Sequence, residues 1–173
     1  MSTASSTNIA VKEKVIVGVA DICMSDNADA LLVTYALGSC IGVTVYDPVA
    51  KVGGMLHFML PLGELSQEKS KAKPAMFGDT GIPLLFKSCY ELGAKKERLI
   101  VCAAGGAEVL CDDGHFKIGS RNRTLLRKIF WKNGILLAGD ETGGSVSRTL
   151  SLRMQDGAVT VSGQGTERVL WPV

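Results

Sequence analysis

The sequence contains no apolar run that approaches the length of a membrane span. Its first residues, Met1 to Asn8, have neither a basic start nor an apolar core, so a secretory signal is not expected. Residues 1–12 read as a disordered tail. The five cysteines, Cys23, Cys40, Cys89, Cys102 and Cys111, are odd in number and show no CxxC spacing. This argues against a disulfide framework, and a reducing compartment, by default the cytoplasm, is expected. The only histidines are His57 and His115, and no ligand pair has finger-like spacing, so neither a metal nor an organic cofactor is expected. Net charge is only +2, and no basic stripe carries interleaved aromatics, which argues against nucleic acid as a partner. Lys69-Ser70-Lys71-Ala72-Lys73 reads as a solvated loop. The phosphate-loop pattern GxxxxGK[ST] and the dinucleotide pattern GxGxxG are both missing. The glycine pairs Gly105-Gly106 and Gly143-Gly144 are better explained by tight turns or close backbone approach.

What is present fits one α/β domain. Hydrophobic residues make up 46% and charged residues 21% of the 173 positions. Val15 to Ala20 and Leu31 to Tyr35 read as strands, with a polar turn over Cys23 to Ala30 between them. Pro61 to Pro74 is a charged loop. Asp79 or Thr80 is placed to cap a helix carrying Ile82, Leu85, Phe86 and Cys89 inward, with Gly93 as its stop. Arg98 to Ala103 reads as a buried strand. Asn122 is placed to cap a second helix with Leu125, Leu126, Ile129 and Phe130 inward, ended by Gly134. Ile135 to Ala138 reads as a strand before a polar turn at Asp140 to Gly144. A hairpin of Arg148 to Met154 and Ala158 to Ser162 turns at Asp156-Gly157. The boundaries expected are 13–163 for the domain and 164–173 for a C-terminal tail or edge segment. Helices packed on one side of sheet is the layering these elements favour.

The chemistry concentrates in another hairpin. In its first arm Ile41, Val43 and Val45 share one face; in its second, Leu56, Phe58 and Leu60 do, with Asp47-Pro48 and Gly53-Gly54 as breakers. Matching the apolar faces puts Cys40 and His57 together on the other face, because a one-residue slip would reverse every side chain. His57 then lies across from Gly42 and diagonal to Cys40, with Gly42 expected to clear the imidazole. Cys40 is either a nucleophile served by His57 or a small buried hydrophobe, and His57 either its base or a core histidine. Ser39 is a rival nucleophile that needs more activation than a thiol. Cys89 belongs to a helix core, and His115 sits in a turn.

Thr34-x-x-x-Gly38-Ser39-Cys40, then His57 within Gly53-Gly54-Met55-Leu56-His57-Phe58-Met59-Leu60-Pro61, resemble the CheD family of chemoreceptor glutamine deamidases. Gly105-Gly106-Ala107, Ile118-Gly119-Ser120-Arg121-Asn122 and Asp140-Glu141-Thr142-Gly143-Gly144 follow in the family's order, so the resemblance runs from about Val15 to about Ser162. Gly81 departs from a common alanine and Ser147 from a frequent glycine. The resemblance implies a layered α-β-β sandwich with mostly antiparallel, hairpin-connected strands and two main helices. It implies Cys40 as nucleophile, His57 as base and acid, and Thr34 as third member, with Gly38 and Ser39 as oxyanion-turn candidates. The implied substrate is a glutamine on the helical cytoplasmic bundle of a methyl-accepting chemotaxis protein, and a CheC-type phosphatase is an implied partner. Two alternatives remain: a regulator of CheC with a vestigial site, and a cysteine hydrolase acting on receptor methyl esters.

Overall fold

The computed structural model describes residues 12–108 and 117–173, with Leu65 described by its backbone alone. Most of the expected N-terminal tail, together with Cys111 and His115, lies outside the described residues. The strands are β1 (Glu13–Ile16), β2 (Asp21–Ser25), β3 (Ala30–Leu37), β4 (Ile41–Asp47) and β5 (Val52–Phe58), then β6 (Ile100–Gly105) and β7 (Gly139–Thr142), and last β8 (Arg148–Arg153), β9 (Val159–Gly163) and β10 (Thr166–Trp171). The helices are α1 (Gln67–Ala72), α2 (Gly78–Glu91) and α3 (Ile118–Lys132). Among the described residues no helix is long and apolar enough to cross a membrane.

Two five-stranded sheets form, in the orders β1-β3-β8-β9-β10 and β2-β5-β4-β6-β7. Pairing is antiparallel except between β1 and β3 and between β6 and β7. The alternation of β4 and β5 explains why three layers are needed. Ile41, Val43, Val45, Leu56 and Phe58 face one core, shared with Ile82, Leu85 and Phe86 of α2 and Leu126 and Phe130 of α3. Tyr46 and Met55 face the other, shared with Leu32, Leu37, Leu150 and Leu152 of the opposite sheet. The result is the expected α-β-β sandwich with β4 and β5 in the middle layer. Burying one such Leu, Ile or Phe contributes about 1.5–3 kcal/mol. Phe86 and Phe130 meet edge to face at 6.0 Å, joining α2 to α3.

Several expected boundaries move. The polar turn over 23–30 shrinks, because Asp21–Ser25 pairs with β5 as a sheet edge. The loop at 61–74 contains α1. Gly53 and Gly54 lie inside β5 rather than breaking the hairpin, and a side chain on Gly54 would come within 2.8 Å of Leu85. α2 begins at Gly78 and α3 at Ile118, so neither Asp79, Thr80 nor Asn122 is a cap. The strand expected at Ile135–Ala138 forms later, at Gly139–Thr142, where parallel pairing with β6 is available; Leu136 is left exposed.

Asp47 anchors the hairpin loop. It is fully buried and accepts hydrogen bonds from the amides of Val49, Ala50 and Lys95 and from the Arg98 guanidinium at 2.7 Å. Burial alone would push its carboxyl up, but these donors hold it well below the usual carboxylate range.

Candidate functional site

The register of β4 and β5 pairs Gly42 with His57, as the alternation requires. His57 is fully buried and points toward the opposite sheet, where Thr34 of β3 is also fully buried. Thr34 Oγ1 lies 2.7 Å from His57 Nδ1 and 2.7 Å from the carbonyl oxygen of Val17. A carbonyl only accepts, so the single hydroxyl proton of Thr34 goes to Val17. Its oxygen must then accept from His57, which fixes the proton of a neutral imidazole on Nδ1. Nε2 is left with a lone pair. It is buried and has no hydrogen-bond partner among the described residues. Burial pushes the imidazole below its ordinary value, toward this neutral form.

Past Thr34 the chain changes sheets. A bulge shifts the register with β8 between Thr34 and Leu37, with Ala36 in the left-handed region at φ 56°. The Gly38-Ser39-Cys40 turn follows, then β4 begins. All three carbonyls of this turn are held from behind. Ala107 N–H donates to Gly38 O at 2.9 Å, Asn122 Nδ2 to Ser39 O at 2.9 Å, and Gly106 N–H to Cys40 O at 2.8 Å. The Gly38 amide is given to Ala36 O at 3.0 Å, so it drops out as an oxyanion donor. Among the described residues the Ser39 amide donates to no backbone carbonyl or side-chain acceptor, and the Cys40 amide is directed only at its own Sγ. Cys40 is half-buried. Burial pushes its thiol up, and its own amide N–H partly offsets this. Sγ makes no hydrogen bond to Nε2.

The glycine pairs are close-approach devices, one of the two readings expected of them. Gly105 has φ +102°, and a side chain on it would overlap the Cys40 carbonyl. Gly143 N–H donates to Gly105 O, bringing the second pair against the first. A side chain on Gly119 would overlap the Ala107 carbonyl, so α3 approaches the turn only because position 119 is glycine. Gly42 has a different role from the one expected. A Cβ there would meet Leu150 at 2.9 Å and Leu37 at 3.0 Å, so the missing side chain admits the opposite sheet rather than clearing the imidazole.

Two contributors are not visible in the hairpin pattern. The Val17 carbonyl acts through Thr34, and nothing in local sequence marks it. Asn122 does leave a signal: it stands four residues before Leu126 and eight before Phe130, a polar residue on a buried stripe. A groove of about 420 Å³ begins two residues beyond His57, lined by Met59, Pro61, Met76, Phe77 and Ile118 with Arg121 at its side. No group of His, Cys, Asp and Glu able to hold a metal ion occurs among the described residues.

A family model described as CheD, "CheD chemotactic sensory transduction", matches residues 59–163. The chain belongs to the CheD family. It is 52% identical to "Probable chemoreceptor glutamine deamidase CheD 1" of Syntrophus aciditrophicus, over 87% of this chain and 94% of that one. It is 47% identical to "Probable chemoreceptor glutamine deamidase CheD" of Solibacter usitatus, over 92% and 95%. The protein of the same name in Pyrococcus abyssi is 38% identical, over 88% and 96%. A match spanning 87% of 173 residues includes Thr34, Cys40, His57 and Asn122 wherever it starts, although the family model itself begins after them.

Proposed function

We propose that the chain is a chemoreceptor glutamine deamidase, with Cys40 as nucleophile, His57 as general base and acid, and Thr34 as the residue that orients His57. The observation that carries this reading is the committed Nδ1 proton of His57. It leaves an unpaired, buried Nε2 lone pair on the face of β5 that looks into the core between the sheets, against which Cys40 also packs.

Nε2 takes the thiol proton as Sγ attacks the carboxamide carbon of a bound glutamine. The oxyanion is received by the amides of Ser39 and Cys40, donors of a kind worth about 3–4 kcal/mol each. The Nε2 proton then passes to the departing nitrogen, and ammonia leaves a thioester on Cys40. Nε2 next removes a proton from water, hydroxide attacks the thioester, and the thiolate leaves. Glutamate is released and the thiolate regains the proton from His57. The groove lined by Met59 and Phe77 suits the apolar flank of a helical substrate, here the cytoplasmic bundle of a methyl-accepting chemotaxis protein, and the cytoplasm is then the site of action. Binding to a CheC-type phosphatase belongs to the same reading.

Mass mapping of a co-expressed receptor fragment tests it. Conversion of glutamine to glutamate is expected with the wild type and is lost in Cys40→Ala and His57→Ala. Full conversion by folded Cys40→Ala would sink the mechanism, and loss of methyl without loss of amide would establish an esterase instead.

A further inference from the structure

The ladder between β4 and β5 ends at the pair Ile41 and Phe58. Beyond it the two chains part. The Cys40 carbonyl turns to Gly106, while the Met59 amide turns to Met76 O at 2.9 Å. The nucleophile turn and the segment leaving His57 are thus held by different neighbours at the point where the chemistry needs them in register.

Asn122 spans that gap. Its Nδ2 donates to Ser39 O at 2.9 Å and to Met59 O at 2.9 Å. Both partners are carbonyls, which only accept, so the amide orientation is fixed and both of its protons are spent. Ser39 immediately precedes Cys40, and Met59 lies two residues past His57. The side chain is fully buried, and its Oδ1 has no hydrogen-bond partner among the described residues. An apolar residue on the buried stripe of α3 would pack there without an unpaired acceptor, so packing alone does not account for asparagine.

We propose that Asn122 is a positioning residue for the reaction. It replaces the missing rung of the ladder and keeps Cys40 and His57 at a fixed separation from the helix layer. This rests on Cys40 and His57 being the reacting pair. Asn122 touches no reacting atom, so its loss acts on alignment, where a displacement near 1 Å costs up to about 100-fold in rate.

The test uses the full chain and its Asn122→Ala variant, read by receptor deamidation and by the pH profile of Cys40 alkylation with iodoacetamide. The expected result is a kcat lower by about 10–100-fold with KM changed less than about threefold. The midpoint of the alkylation profile is expected to shift, because the burial that raises the Cys40 thiol depends on where the turn is held. A variant that is folded but has wild-type kcat and an unchanged profile overturns the proposal. If Asn122→Ala does not fold, Asn122→Ser, which keeps one donor, is read in the same way. If neither folds, the residue is a fold determinant and the proposal fails. A wild type that leaves the receptor unchanged, while the alkylation profile still shifts in the variant, counts against the deamidase reading and not against this one.

Discussion

Replacing Thr34 by valine removes one oxygen and keeps the shape of the side chain, so its consequences come almost entirely from hydrogen bonding. That oxygen donates to Val17 O and accepts from His57 Nδ1, both at 2.7 Å, in a site with no solvent exposure. The variant leaves two buried groups unpaired, each costing about 1–3 kcal/mol. For a chain of this length a loss near 3 kcal/mol lowers Tm by roughly 6–12 °C. Activity suffers for a separate reason. Without an acceptor at Nδ1 the imidazole is free to carry its proton on Nε2 instead, and that fraction has no lone pair to offer Cys40. Its rotamer also loosens, and kcat for receptor deamidation is expected to fall by about 10–100-fold. Thr34→Ser restores both bonds and should recover most of the lost rate. The assay is ammonia release from a receptor fragment at a temperature where near-ultraviolet circular dichroism shows every variant folded. Wild-type kcat in folded Thr34→Val would refute the claim that the hydroxyl sets the tautomer.

Burial holds His57 below its ordinary value, so the acid limb of kcat/KM should have its midpoint under about 6.5; a midpoint above that value contradicts the assignment. The same shift has a stability consequence whose sign is fixed. Below about pH 6.5 the unfolded chain takes a proton that native His57 refuses, so stability falls with pH down to the depressed native value and is flat above the window. Urea midpoints at several pH values measure it, and a midpoint that rises on acidification would contradict it. Gly105→Ala should cut kcat by about 100-fold, because its Cβ overlaps the Cys40 carbonyl and moves the turn. Gly134→Ala, also at positive φ but with nothing near its Cβ, should cost only about 1–2 kcal/mol in chemical denaturation and spare activity. Equal effects on kcat would remove the case for Gly105. Asp47→Asn should destabilise by about 2–4 kcal/mol, less than a fully buried pair because Arg98 is 29% exposed. Asp47 lies at the far end of β4, so kcat at 25 °C should be unchanged; reduced activity in the folded variant would show coupling along the strand.

How much of this was legible in the sequence depends on the range of the interaction. The pairing of Gly42 with His57 followed from alternation alone, because two apolar faces admit one parity. The inward faces of α2 and α3 followed from helical spacing for the same reason. What alternation cannot encode is the partner across a sheet–sheet interface. Thr34 is reached only through family resemblance and Val17 through neither source, and the role of Gly42 differs from the expected clearance because Leu150 approaches from a sheet that the hairpin pattern does not know about. Asn122 was misplaced by local logic. An asparagine near a helix start favours the cap position, but here two distant carbonyls compete for its amide and the helix starts earlier. The strand expected at 135–138 failed similarly, since Gly139–Thr142 has weak strand propensity and is recruited by the edge of β6.

A hydroxyl as third member has a consequence for the proposed chemistry. Because Thr34 is already a donor to Val17, it can serve His57 only as acceptor, and it does so at every pH at which the fold survives. The tautomer therefore does not depend on the ionisation of a carboxylate. The same neutrality gives an imidazolium no counter-charge in a buried site, and burial already disfavours it. A proton taken from Cys40 is thus held at high energy until it moves on, and the departing amide nitrogen is its natural destination. Protonated there, the nitrogen leaves as ammonia rather than as an amide anion. Amide cleavage needs a protonated leaving group, whereas an ester alkoxide needs it less. With these as the reacting groups, loss of the His57 proton is therefore expected to slow amide cleavage more than methyl ester cleavage.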